Sequence, residues 1–338
     1  MNPSQPSAER NAAEIVFDSA TKRYPGRERP AVDALSLTVA AGEICVLVGP
    51  SGAGKTTAMK MVNRLAEISE GDITIDGHSV RSLDVNRLRR GIGYVIQQIG
   101  LFPHMTVAQN VATVPRLEGW ERGRISTRVE ELLELVGLEA GDGTRYPSEL
   151  SGGQRQRVGL ARAMAADPPL MLMDEPFGAL DPITRERLRD EFLRLHQSIR
   201  KTVVFVTHDI DEAIKMGDRV AVLREGGKLA QHATPDELLA APVDDFVAQF
   251  VGADRALKRL SLARLGDLEL RPPPQVGADT DSGVPRAPAA TSLREALSLM
   301  LDGGAGPLVV TGDDGRPTGT ATVEMVARAL AHRDGKPA

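Results

Sequence analysis

From Ile15 to about Gly252, short apolar runs alternate with stretches of helical periodicity. Ile44–Val48, Tyr94–Ile96, Leu170–Met173, Val203–Val206 and Val220–Leu223 are nearly continuous apolar segments, as in strands covered on both faces. Their alternation with helical patterns predicts an α/β fold built on a largely parallel sheet. Ala34–Val39 differs, because Leu35, Leu37 and Val39 recur at every second position. One wet face of that kind places the segment in a peripheral antiparallel sheet. Strand signals stop between about Met105 and Ala165. There Val129, Leu132, Leu133 and Val136 fall at i, i+3, i+4 and i+7, one face of an amphipathic helix opened by Ser126 or Thr127. The α/β domain therefore carries a helical insertion, over about residues 99–165.

Outside this block the patterning changes. Residues 1–13 hold Pro, Ser, Asn and Gln with little to bury, and read as disordered. The principal domain is expected over 14–254. A connecting segment follows over 255–290, and its stretch from Arg271-Pro272-Pro273-Pro274 to Ala290 has a flexible linker's composition. A small unit over 291–338 regains a pattern. Leu293, Ala296, Leu297 and Met300 mark a helix, Pro307–Val310 a strand, Asp313–Arg316 a turn, and Gly319–Thr322 the start of a further strand.

Composition narrows the function class. The 338 residues carry 41 Lys and Arg against 46 Asp and Glu, a net charge of −5. That lacks the basic face of proteins that grip nucleic-acid phosphates, so no nucleic-acid partner is expected. No apolar stretch approaches the ~18–20 residues of a membrane span, and the polar start has no apolar core of a secretory signal. The chain is expected to be soluble and cytosolic. Cys45 stands alone, which excludes a disulfide framework and a cysteine-built metal site, and it reads as a small buried hydrophobe.

Gly49-Pro50-Ser51-Gly52-Ala53-Gly54-Lys55-Thr56 fits the phosphate-loop pattern, with strand Ile44–Val48 before it and a helix over Thr56–Arg64 after it. Its backbone N–H groups can curl around an oxyanion at a helix N-terminus. Lys55 then reaches the β- and γ-phosphates of ATP and the Thr56 hydroxyl reaches Mg²⁺, with Thr57 counted in the same nucleotide-binding set. Leu170–Met173 ends in Asp174 and Glu175, at the edge where α/β proteins hold ligands. Asp174 suits the Mg²⁺ shell, and Glu175 suits taking a proton from an attacking water. Ser151-Gly152-Gly153-Gln154 opens a second helix, to about Ala166, with Ser151 as its cap and the glycines leaving N–H groups bare for another anion. A metabolic phosphate-loop kinase leaves that second start unexplained. A neighbouring subunit's ATP explains it.

With these residues the sequence resembles the ABC-transporter ATPases over roughly residues 14–250. Ser151–Gln154 is similar to the family signature, Gln97 to the glutamine that contacts Mg²⁺ and water, Gly178–Asp181 to the D-loop, and His208 to the switch histidine. Tyr24 lies where the family stacks an aromatic on adenine. The resemblance implies two ATP molecules held in a head-to-tail homodimer, each between one Lys55 loop and the partner copy's Ser151 helix and Asp181. Glu175 acts as base and His208 steadies the developing charge. It also implies membrane permease subunits gripped through the helical insertion, with Leu101–Met105 as docking segment. An extracytoplasmic substrate-binding protein acts indirectly, and the location is the cytoplasmic face of the membrane. Met59–Leu65, Ile92–His104, Ile210–Arg219 and Phe250–Arg255 look like the ATPase subunits of importers for glycine betaine, carnitine, choline and related quaternary amines. Residues 292–330 resemble one CBS repeat, in which Met325 replaces the Asp that adenosine-binding repeats carry.

Overall fold

The computed structural model describes residues 12–96, 100–178, 180–272, 284–312 and 314–333. By its internal contacts the chain divides after His232 into two compact units.

In the first unit two sheets share one core. The antiparallel sheet contains β1 (Ile15–Lys22), β2 (Val32–Val39), β4 (Glu70–Ile75) and β5 (His78–Ser79) in the order β2-β1-β4-β5. Its β2 buries Leu35, Leu37 and Val39 and exposes the residues between them, as the period-two pattern predicts. The second sheet contains β3 (Ile44–Val48), β6 (Ile92–Val95), β7 (Leu170–Asp174), β8 (Thr202–Val206), β9 (Arg219–Arg224) and β10 (Lys228–Ala233), ordered β10-β9-β3-β8-β7-β6. Strands β6, β7, β8, β3 and β9 run parallel in turn. Every residue of β3, β7 and β8 is buried. Phe17, Leu35 and Leu37 of one sheet pack with Leu47, Leu172 and Val206 of the other and with Met59 and Met61 of helix Lys55–Val62. Strand β10 was not legible because its burial is partial along most of its length, leaving no apolar run.

The insertion between β6 and β7 is helical among the described residues. Its helix Arg122–Leu135 begins a turn earlier than the sequence indicates, at Glu121 rather than Ser126 or Thr127. Ile125 is the reason: it extends the buried stripe of Val129, Leu132 and Leu133 backwards. Thr127 instead donates back to Gly123 O from within the helix at 3.3 Å.

The second unit corrects the expected linker. Arg286–Pro288 forms β11, parallel to β12 (Leu308–Thr311), which pairs antiparallel with β13 (Pro317–Ala321). Leu260, Ala263 and Leu265 are buried with Ala287, Leu293, Met300, Leu308 and Val326 in one apolar cluster. The described parts of 255–290 thus give this unit helix Arg255–Leu260, several buried residues and one strand, while 273–283 of the expected linker lie outside the described residues. A Pro-rich composition gives no hint of that, because the cover comes from residues farther along the chain. Helices Leu293–Asp302 and Val323–Arg333 complete a strand–helix–strand–strand–helix order.

Candidate active site

The phosphate loop leaves the C-terminal end of β3 under pressure from its neighbours. Gly54 has φ +77°, and a Cβ there would lie 2.2 Å from Ala31 O. At Gly49 a Cβ would lie 2.3 Å from Leu223 O, at the end of β9. Both positions exclude any side chain. Lys55 is 8% exposed, and its Nζ donates to Gly49 O at 2.7 Å and Pro50 O at 3.0 Å. Burial lowers its pKa, while the Glu175 and Asp174 carboxylates oppose that shift. A buried ammonium under a curl of N–H groups suits a phosphate anion.

The two strand-end acids have different surroundings. Asp174 is buried at the end of β7, and its Oδ1 accepts from Thr56 Oγ1 at 3.0 Å. Desolvation raises the Asp174 pKa, and the Thr56 bond works against that. Paired hydroxyl and carboxylate oxygens are the donor set a hard cation such as Mg²⁺ takes, so these residues fit that ion. Glu175 follows with φ +46°, a conformation rare outside glycine, which turns the chain away from the sheet. Its N–H donates to Val206 O at 3.0 Å, and its Oε1 lies 2.9 Å from His208 Nδ1.

Of these groups, Lys55, Thr56, Glu175 and His208 line one open cavity of about 980 Å³. The rest of Ser51–Thr57 and Tyr24 share this lining, and Lys22 Nζ lies 4.9 Å from the Tyr24 ring centroid. The sequence missed further lining from Arg27 to Ala31 and from Glu225 and Gly226. These come from the β1–β2 and β9–β10 turns, and only the chain trace brings such turns beside the phosphate loop.

Ser151–Gln154 and Asp181 lie elsewhere on the unit, lining a separate cavity of about 590 Å³ with Arg145 and Arg157. Ser151 Oγ caps helix Gly152–Met164 by accepting from Gln154 N at 3.2 Å, and Gln154 Oε1 accepts from Ser151 N at 2.9 Å. Asp181 caps helix Pro182–Ile199 through Thr184 N at 3.0 Å, and that bond lowers its pKa. One chain therefore separates the Lys55 cavity from the Ser151–Asp181 cavity. Gln97 lies outside the described residues. Buried Asn110, on helix Val107–Val111 just after the expected docking segment, holds that segment's turn by donating to Phe102 O and Met105 O at 3.1 Å each, while Phe102 stays exposed.

Glu43, Cys45 and His232 bring ligand-type atoms within 4.8 Å of one another. Arg219 Nε donates to His232 Nε2 at 3.3 Å, so a guanidinium already holds the lone pair a metal needs. Burial raises the Cys45 pKa and lowers that of His232 to about 4, leaving thiol and imidazole neutral.

The fold and the loop define a phosphate-loop ATPase of the cassette type. The family model described as ABC transporter matches residues 32–178. An osmoprotectant import ATP-binding protein, OsmV of Salmonella typhimurium, is 49% identical over 90% of this chain and 78% of its own length. The glycine betaine/carnitine/choline transport ATP-binding protein OpuCA of Bacillus subtilis is 46% identical over 92% of this chain and 79% of its own. Among solved structures, the dimeric post-hydrolysis cassette MJ0796 bound to ADP and Pi matches with a TM-score of 0.60 and 33% identity, over 65% of this chain and 98% of that one. The chain belongs to the ABC transporter family, as one of its ATP-hydrolysing subunits. No helix among the described residues is long and apolar enough to cross a membrane.

Proposed function

We propose that this subunit powers a membrane importer of quaternary-amine osmoprotectants such as glycine betaine, carnitine or choline, as a homodimer on the cytoplasmic face. One observation carries the dimeric reading: the cavity with Lys55 and the cavity with Ser151 and Asp181 are separate on one chain. ATP fills the first, with Tyr24 against the adenine and the N–H groups of Ser51–Thr57 around the phosphates. The second copy supplies Ser151, Gly152, Gly153, Gln154 and Asp181 to the exposed side of the same ATP. Thr56 and Asp174, with Gln97, would hold Mg²⁺, which neutralises charge on the phosphate oxygens. Lys55 exchanges its carbonyl partners for phosphate oxygens. Glu175 takes the proton of the attacking water, and His208 keeps the Glu175 carboxylate in place through Nδ1.

The solute never touches this subunit, so the quaternary-amine assignment leans on the named relatives. Permease subunits, with a substrate-binding protein acting through them, complete the transporter. The strand–helix–strand–strand–helix order from Arg286 to Arg333 supports a single CBS-like repeat there. Uptake of labelled betaine, choline and carnitine by cells with and without this chain tests the reading. Loss of uptake of at least one of them upon deletion is expected, and unchanged uptake of all three contradicts it.

A further inference from the structure

His208 lies between two residues that are tied down from behind. Thr207 is buried, and its hydroxyl donates to Glu212 Oε2 while accepting from Asp209 N at 3.1 Å. Asp209 caps the helix Ile210–Met216, with Oδ1 accepting from Asp211 N at 2.9 Å and Glu212 N at 3.2 Å. Glu212 is 8% exposed at its side chain, and its other oxygen, Oε1, accepts from Arg189 Nε at 2.8 Å. Arg189 also stands 4.0 Å from Asp209 Oδ2. His208 turns outward, with its side chain 65% exposed and directed to Glu175, while Asp209 is 39% exposed. Arg189 belongs to helix Pro182–Ile199, about 12 Å along the axis from its cap Asp181 at 1.5 Å per residue. That helix thus joins the edge lined by Asp181 and Ser151 to the back of the histidine loop.

We propose that Thr207, Glu212 and Arg189 form a buried latch of positioning residues that holds His208 on Glu175 and ties it to the helix begun by Asp181. A nearly dry carboxylate with both oxygens bonded is a stiff support, since releasing either partner leaves a buried charge short of a bond. None of the three lines the nucleotide cavity, so the latch acts on turnover and leaves ATP binding alone. The inference rests on His208 serving the hydrolytic site.

The test uses ATP hydrolysis by the full chain. Thr207→Val keeps the shape and removes the hydroxyl; it is expected to lower kcat about tenfold, the worth of one such bond, with KM for ATP within about twofold. Thr207→Ser restores the hydroxyl and the rate. Arg189→Lys, which keeps the charge and loses the Nε contact, reproduces the Val phenotype. In a His208→Ala background, Thr207→Val has no further effect, because the residue it positions is gone. Wild-type turnover in Thr207→Val, or equal loss in the Ser and Val variants, overturns the latch. So does a full further loss in the His208→Ala background. If His208→Ala itself hydrolyses at the wild-type rate, the site reading falls and the latch falls with it. An impaired His208→Ala beside an unimpaired Thr207→Val removes the latch alone.

Discussion

His208 Nδ1 and Glu175 Oε1 stand 2.9 Å apart, bridging the ends of β8 and β7. This contact fixes in place the carboxylate proposed to receive a proton from the attacking water. Glu175→Gln preserves the shape and removes the base. Turnover is expected to fall by ~10²–10⁴-fold while ATP still binds. Phosphate release at near wild-type rate in this variant would take Glu175 out of the reaction.

Lys55 supplies the buried positive charge of the phosphate loop. In Lys55→Ala the loop keeps its glycines and loses its cation. At ~100 times Kd, Mg-ATP should stabilise the wild type by about 2.7 kcal/mol and the variant far less. Thermal unfolding with and without nucleotide checks this, and equal shifts in the two proteins would count against the phosphate-loop assignment.

Most of the candidate site's clustering was legible in the sequence, because it depends on local chemistry. Gly54, Lys55 and Thr56 are neighbours in the chain, and Asp174 and Glu175 end a recognisable apolar strand. The residues that escaped were those whose role depends on distant segments. Arg27 and Gly226 reach the cavity on turns of other strands. Leu260 and Leu265, which read as connecting chain, are buried only because Leu293, Met300 and Val326 fold over them. The early start of helix Arg122–Leu135 was missed for a different reason. Ser126 and Thr127 are good caps in isolation, and the burial of Ile125 outweighs that preference.

His232 gives the fold a pH dependence of known sign. Burial and Arg219 lower its pKa from 6.5 to about 4. Between those values the unfolded chain binds more protons than the folded one, so stability rises with pH there. The contribution is complete above pH 6.5 and is lost as pH falls through 4. The midpoint of urea unfolding should climb less steeply from pH 4 to 6.5 in His232→Gln than in the wild type. Equal slopes would show that His232 is protonated in the folded state.

The second unit also makes a direct prediction about truncation. A chain ended at Leu265 loses Ala287, Leu293, Met300, Leu308 and Val326, the cover over Leu260, Ala263 and Leu265. Those apolar groups then meet water at about 25 cal/mol per Å². The shortened protein should bind a hydrophobic dye and aggregate at concentrations where the full chain does not. A well-behaved fragment with no added dye binding would mean that Leu260 and Leu265 do not need that cover.

In the proposed dimer, one chain's Lys55 cavity and its partner's Ser151 and Asp181 close around the same ATP. Sedimentation of Glu175→Gln, which holds ATP without consuming it, tests this directly. Expected are monomer without nucleotide, dimer with ATP, and monomer again with ATP when Ser151→Arg is added to block the second cavity. A Glu175→Gln protein that binds ATP and stays monomeric, or a dimer indifferent to Ser151→Arg, would contradict it.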